Sequence, residues 1–180
     1  MTAWVHDILH FWFDHVGPER WYGSGPEIDA EIRDRFEPLW QSLRHEPAIF
    51  FVSAPEDALA AVILFDQFPR NIFRHEAQSF ATDPLALAIS KLAVGAGFHG
   101  QLNAQEQQFL YMPFMHSENI ADQEMSVELF DALNEAKALQ FAIMHRDIVK
   151  RFGRFPHRNE VLGRETLPEE FDAITEGENW

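Results

Sequence analysis

Apolar residues recur along this chain three or four positions apart, the spacing of α-helices, and nowhere alternate long enough to argue for a β-sheet. The pattern predicts a first helix over Ala3–His15, with Trp4, Ile8, Phe11 and Trp12 apolar, ended by the Gly17-Pro18 break. A second begins at Pro26, a good first-turn residue, and carries Ile28, Ile32, Phe36, Leu39, Trp40 and Leu43. Pro38 lies inside it and predicts a kink or a split. A third opens at Pro55 and is expected to end near Phe68, because Pro69 has no N–H with which to continue it. Asp83-Pro84 starts a fourth, terminated by Gly95 or Gly97. Asn103 with Glu106 resembles a capping box opening a fifth, expected to stop before Pro113. A sixth covers about Ser117–Asn134, a seventh about Glu135–Phe152 closed by Gly153, and a short helix follows Thr166 with Glu169 as its capping partner.

Short connections between successive helices favour antiparallel neighbours, so the expected fold is all-α, made of stacked helix hairpins. No repeat period is regular, and no linker or low-complexity stretch divides the chain; residues 1–180 read as a single domain.

Charge changes this picture most. The chain of 180 residues carries a formal net charge of −15, which repels nucleic acid and anionic membranes, so neither is an expected partner. The longest apolar run, Ala58–Phe65, is too short to span a bilayer, and the N-terminus has no basic leader; the expectation is a soluble, cytoplasmic protein. With no cysteine, disulfides, thiolate catalysis and thiolate-ligated metals are excluded. The charge is unevenly spread: Phe141–Arg164 holds six Lys and Arg against two acids, whereas Glu165–Trp180 holds six acids and no Lys or Arg. Such a tail can fold back on the basic segment. Arg outnumbers Lys by eleven to three, which suits planar, bidentate pairing with carboxylate or phosphate.

Helical spacing then singles out acids on apolar stripes. Asp66 follows Leu59, Val62 and Ile63 on one face, and Glu118 and Asp122 precede Met125, Leu129 and Leu133 on another. A carboxylate aimed at a core needs a partner, since desolvating it alone costs several kcal/mol. Candidate partners are Arg70, Arg74, Arg146, Arg151, Arg154, Arg158 and Arg164, with Arg146 leaning inward between Leu139, Ala142, Ile143 and Val149. Two helix exits, DQFPRNIFR at residues 66–74 and GRFPHRN at 153–159, place an Arg after Phe-Pro, where it can turn back toward those acids.

Two readings of this charged set stand side by side. It is a buried ion-pair network of Asp66, Glu118, Asp122, Arg146 and Arg151 locking helices together, or a groove in which Arg70, Asn71, Arg74, Arg154, His157, Arg158 and Asn159 bind a small anion or an acidic peptide end. A third reading makes His116 or His157 a general base or metal ligand beside Glu118 and Asp122, in a hydrolase. Against it, no two-histidine helix motif and no GxSxG elbow occurs, and no metal or cofactor is expected.

The segments ILHFWFDHVGPERWY, LFDQFPRNIFR, FATDPLALA, FLYMPFMHSENIADQ and HRDIVKRFGRFPHRNEVLGRET together resemble the bacterial domain of unknown function 924 family, from Ile8 to about Glu170. The resemblance implies an all-helical, tetratricopeptide-repeat-like, right-handed superhelical domain, and it carries no catalytic assignment. It places Asp66, Gln67, Arg70, Asn71, Arg74, His116, Glu118, Asp122, Gln123, His145, Arg151, Arg154, His157, Arg158, Asn159 and Arg164 inside the family's motif blocks.

Overall fold

The structure, a computed structural model, describes residues 2–23, 25–171 and 174. It is all-α, with no strand among the described residues. No helix among them is long and apolar enough to cross a membrane. The fold divides into two compact units: one takes the chain up to Arg74 together with Gln78–Pro113, the other takes His75–Ala77 and the chain from Phe114 onward.

In the first unit, α1 (Ala3–Leu9) runs on as a π-helical segment, His10–Val16, before Gly17 turns the chain with φ +70°. The carbonyl of Trp12 accepts both the Gly17 N–H at 3.1 Å and the Trp21 indole N–H at 2.8 Å, so the wide turn is pinned at its exit. Phe11 and Trp12 then meet Phe36, Phe68 and Phe109 edge-on, with ring centroids 5.1 to 6.1 Å apart. The second helix, α2 (Pro26–Leu43), runs through Pro38 without a split. Proline removes one helix bond but keeps a helical φ, and Phe36 and Trp40, buried on either side, hold the turn in place.

The chain also departs from expectation at Pro69. Helix α3 (Pro55–Val62) continues as a π segment, Ile63–Gln67, and then as α4 (Phe68–Ile72), so Pro69 becomes a first-turn residue instead of a stop. The Phe68 N–H reaches the Ile63 carbonyl five residues back, the wide spacing that defines the π turn. Because Pro69 offers no N–H, the Phe65 carbonyl lacks its helical donor; the Thr82 hydroxyl takes that place at 2.6 Å. Thr82 in turn accepts the Trp40 indole N–H at 3.1 Å. The apolar run Ala58–Phe65 is fully buried around the helix, which is why it lacks a polar face.

Helix α5 (Asp83–Gly95) starts where expected, and Gly97 follows it in the left-handed region at φ +74°. Asn103 and Glu106 form a reciprocal cap: Asn103 Oδ1 accepts from the Gln105 and Glu106 N–H groups, and Glu106 Oε2 accepts from the Asn103 N–H. Helix α6 (Ala104–Met115) passes through Pro113 instead of stopping before it.

In the second unit, α7 (Ile120–Ala132) and α8 (Ala136–Phe152) pack against each other across a short turn in which Asn134 has φ 57°. Asn119 caps α7 by accepting the Ala121 N–H, and Gly153 ends α8 at φ +70°, its N–H on the Val149 carbonyl at 2.7 Å. The inner faces differ from the expected stripes. On α7, Asp122, Gln123, Ser126 and Phe130 are buried, while Met125 is exposed. On α8 the buried face is Ala138, Ala142, His145 and Val149, so His145, and not Arg146, points inward. A last 3₁₀ turn, Pro168–Glu170, is capped by Glu170 on the Leu167 N–H at 2.8 Å, not by Glu169. The acidic tail thus returns to the basic segment as far as Glu170; its remaining acids, Asp172, Glu176 and Glu178, lie outside the described residues.

Candidate functional site

The charged residues singled out by spacing fall into two groups, one in each unit. In the first, α4 delivers Arg70 to two acids. Its guanidinium meets Asp83 with both terminal nitrogens at 3.0 Å, lies 3.4 Å from the fully buried Asp66, and donates to the Asp66 carbonyl. Burial works against the charge of Arg70, yet Asp66 and Asp83 together hold its pKa above the usual value. Gln67, beside it, donates to the Asp66 carboxylate and lies 3.2 Å from the Met112 sulfur. One turn on, Arg74 grips Asp29 with two nitrogens at 2.8 and 2.9 Å, and Asn71 donates to the same carboxylate at 2.8 Å. Asp83 and Asp29 are the partners that spacing did not find. Both stand in the first turns of other helices, where an acid has a sufficient local reason in the helix dipole.

In the second unit Glu118 is the hub. It accepts from both terminal nitrogens of Arg164 at 2.8 and 3.0 Å and from the Phe155 N–H at 2.7 Å. Burial raises a carboxyl pKa, but Arg164 and the Phe155 N–H outweigh it and hold Glu118 below the ordinary carboxylate range. Arg164 also donates to the Phe155 carbonyl at 3.0 Å, so one arginine and one acid clamp both polar groups of that residue. Arg154 does not pair with Glu118: it binds Glu170 through two nitrogens at 2.7 and 2.9 Å and the Glu165 carbonyl at 2.8 Å. Glu170, 1% exposed, also accepts from Asn159 at 3.0 Å. The Arg154 guanidinium is the main reason its pKa falls to about 2.

Arg146 and Arg151 stand outside any such clamp. Arg146 pairs with its neighbour Asp147 at 2.6 Å, and the exposed Arg151 rests its guanidinium 4.6 Å from the Phe152 ring. Asp122 accepts from the Ser117 hydroxyl at 2.9 Å, and Gln123 fastens the same stretch by donating to the Met115 and Ser117 carbonyls at 2.6 and 2.7 Å.

Two imidazoles, His145 and His157, and the Arg158 guanidinium meet at Phe155, and His116 lies against His145. Ring centroids are 6.4 Å apart for His116 and His145, 5.5 Å for His145 and Phe155, and 5.6 Å for Phe155 and His157; the Arg158 guanidinium lies 4.6 Å from the Phe155 ring. Burial is the main cause that lowers His145 to about 3, with His116 and Arg158 adding to it. His157, exposed over part of its surface, is lowered to about 4 by desolvation of its ring and by Arg158. Among the described residues, no group of three or more His, Asp and Glu side chains is placed to hold a metal ion. Beside the hub, an open concavity of about 380 Å³ is lined by Glu118, Asn119, Ile120, Val149, Lys150 and Gly153.

These features define an all-helical protein whose helix exits are tied down by arginine–carboxylate pairs. Residues 8–178 match the family described as bacterial protein of unknown function (DUF924), and the chain belongs to that family. A solved structure of a protein of unknown function from Agrobacterium tumefaciens is similar over 97% of this chain and 98% of its own, with a TM-score of 0.90 and 39% sequence identity. No curated protein matches the chain.

Proposed function

We propose that the protein is a binding or assembly scaffold, not an enzyme, and that its arginine–carboxylate pairs are structural clamps. The observation that carries this reading is the state of Glu118, engaged by Arg164 and by the Phe155 N–H. A general acid at neutral pH needs a raised carboxyl pKa, whereas those of Glu118 and Glu170 are lowered, with three donors on the oxygens of Glu118 and four on those of Glu170. A tetratricopeptide-like stacking of helices suits such a scaffold.

A second reading keeps a small anion or an acidic peptide end as ligand. It is favoured by the gathering of His145, His157 and Arg158 about Phe155, with His116 against His145, which puts a cationic group and hydrogen-bonding groups in one place. A thermal-shift series separates the readings, since a ligand of the native state raises the melting temperature. Phosphate, dicarboxylates, an acidic peptide and divalent metals are each titrated against the wild-type protein and Glu118→Gln. The scaffold reading expects no shift with any of the small ligands and a lowered melting temperature for the variant. A saturable rise with phosphate or a carboxylate supports the second reading, and a rise with a metal overturns both.

A further inference from the structure

A two-histidine helix motif, absent beside Glu118 and Asp122, does occur at the start of the first unit, in His6 and His10. The His10 N–H reaches the His6 carbonyl, so one α-helical turn separates the two. Side chains at that spacing stand one above the other on the same face of a helix. Both residues are exposed, with ring centroids 5.9 Å apart and planes 21° from parallel. The buried face of this helix, Val5, Ile8, Phe11 and Trp12, uses neither ring.

Two imidazoles can approach in this way simply by stacking on a solvated face, or because together they can hold an ion. An ion bonded at about 2.0–2.1 Å to one nitrogen of each ring keeps the two centroids within roughly 6.5 Å of each other. The observed separation meets that limit, and exposed rings can turn between rotamers to complete the geometry. The Asp7 carboxylate lies 3.8 Å from His6 Nδ1. It favours the proton on that nitrogen and leaves Nε2 with the lone pair that a metal requires. The excess of 15 negative charges draws cations to the surface as well. The His116–His145 pair is nearly as close, at 6.4 Å, but His145 is buried away from a hydrated ion.

The geometry points to His6 and His10 as a bidentate site for a divalent first-row ion that accepts imidazole: Cu²⁺, Ni²⁺ or Zn²⁺. Neutral imidazoles select these ions over Mg²⁺ and Ca²⁺, which take oxygen ligands. Water fills the remaining positions, so the bound ion exchanges, unlike one enclosed by four protein ligands. Affinity is highest for Cu²⁺ and falls in acid, because protonating either ring removes a ligand. The site stands apart from the scaffold reading, since it uses none of the arginine–carboxylate pairs. Metals in the thermal-shift series are therefore titrated against His6→Asn, in which a rise has to come from another site.

Isothermal titration calorimetry of the whole chain, without an affinity tag, tests the assignment with Ni²⁺ in a non-coordinating buffer at about pH 7.5. The wild type is expected to bind one equivalent at this pair. His6→Asn and His10→Asn each leave a single imidazole and weaken that binding on the order of a hundredfold, through loss of the intramolecular second contact. His45→Asn, at an exposed histidine just after α2, leaves it unchanged. All three positions are exposed, so the variants keep the fold. A wild type that does not bind Ni²⁺, a loss below about tenfold in either of the first two variants, or an equal loss in His45→Asn overturns the site.

Discussion

Thr82 shows how a single hydroxyl can answer a defect elsewhere in the chain. It donates to the Phe65 carbonyl that Pro69 leaves without a helical donor and accepts from the Trp40 indole, all within the buried core of the first unit. Thr82→Val keeps the shape but orphans two buried groups, each costing about 1–3 kcal/mol, so a loss of about 2–6 kcal/mol is expected in urea denaturation. Pro69→Ala in the same background restores an N–H for Phe65 and recovers part of that loss; a double-mutant cycle showing no coupling sinks the explanation. Glu170 gives a residue-scale prediction in pH. Its pKa is depressed, so its contribution is complete above the ordinary carboxylate value and disappears as pH falls through about 2. The stability gap between wild type and Glu170→Gln should stay constant from about pH 5 to about pH 8 and close progressively below about pH 4. A gap unchanged at about pH 2 removes the pair from the account. The charged residues were legible in the sequence as residues needing partners, but the partners were not. Asp29, Asp83 and Glu170 read locally as helix-start acids or tail charge, and only the folded chain brings them to Arg74, Arg70 and Arg154.

Helices were more legible than the places where they stop. Period and caps located α5, the Asn103–Glu106 cap and the Gly153 terminus, because those signals depend on neighbours a few residues away. Prolines misled because a stop is a matter of energy balance. Pro38 and Pro113 each remove one hydrogen bond, and the buried residues around them, Phe36 and Trp40 in α2 and Phe109 and Phe114 in α6, keep the helix going. At Pro69 the π segment and Thr82 absorb the defect instead. The inner faces of α7 and α8 were misread in part, for a related reason: Asp122 is buried as its stripe predicts, but the buried positions also include Gln123, Ser126 and His145, which hydropathy places outside. The end of α8 carries the element-scale prediction. At Gly153 φ is +70° and a Cβ would meet no atom within 4 Å, so Gly153→Ala is penalised by backbone conformation alone. A loss of about 1–2 kcal/mol without change in the unfolding slope is expected. A neutral result means that the exit of α8 adjusts, and with it the placement of Phe155.

Over the whole molecule two electrostatic effects oppose each other. Acids number 29 against 14 Lys and Arg, an excess of 15 negative charges that repel one another in the compact state. Against this stand the clamps at Arg70, Arg74, Arg154 and Arg164, each an attraction that salt weakens. Raising the salt from about 20 mM to about 500 mM shortens the screening length from roughly 20 Å to roughly 4 Å. Repulsion among surface acids acts over distances longer than the second value and is largely removed. The clamps have contacts of 2.7 to 3.0 Å and their acids are 1 to 29% exposed, so they retain most of their strength. The melting temperature should therefore rise with salt, by a few degrees, in buffer near neutral pH. Glu118→Gln should start lower and rise by a similar amount, because the variant loses a clamp while the excess of acids remains nearly the same. A melting temperature that falls with salt would show that exposed ion pairs, not acid repulsion, dominate the stability of this chain, and the clamps would then have to be far more open to solvent than their burial indicates.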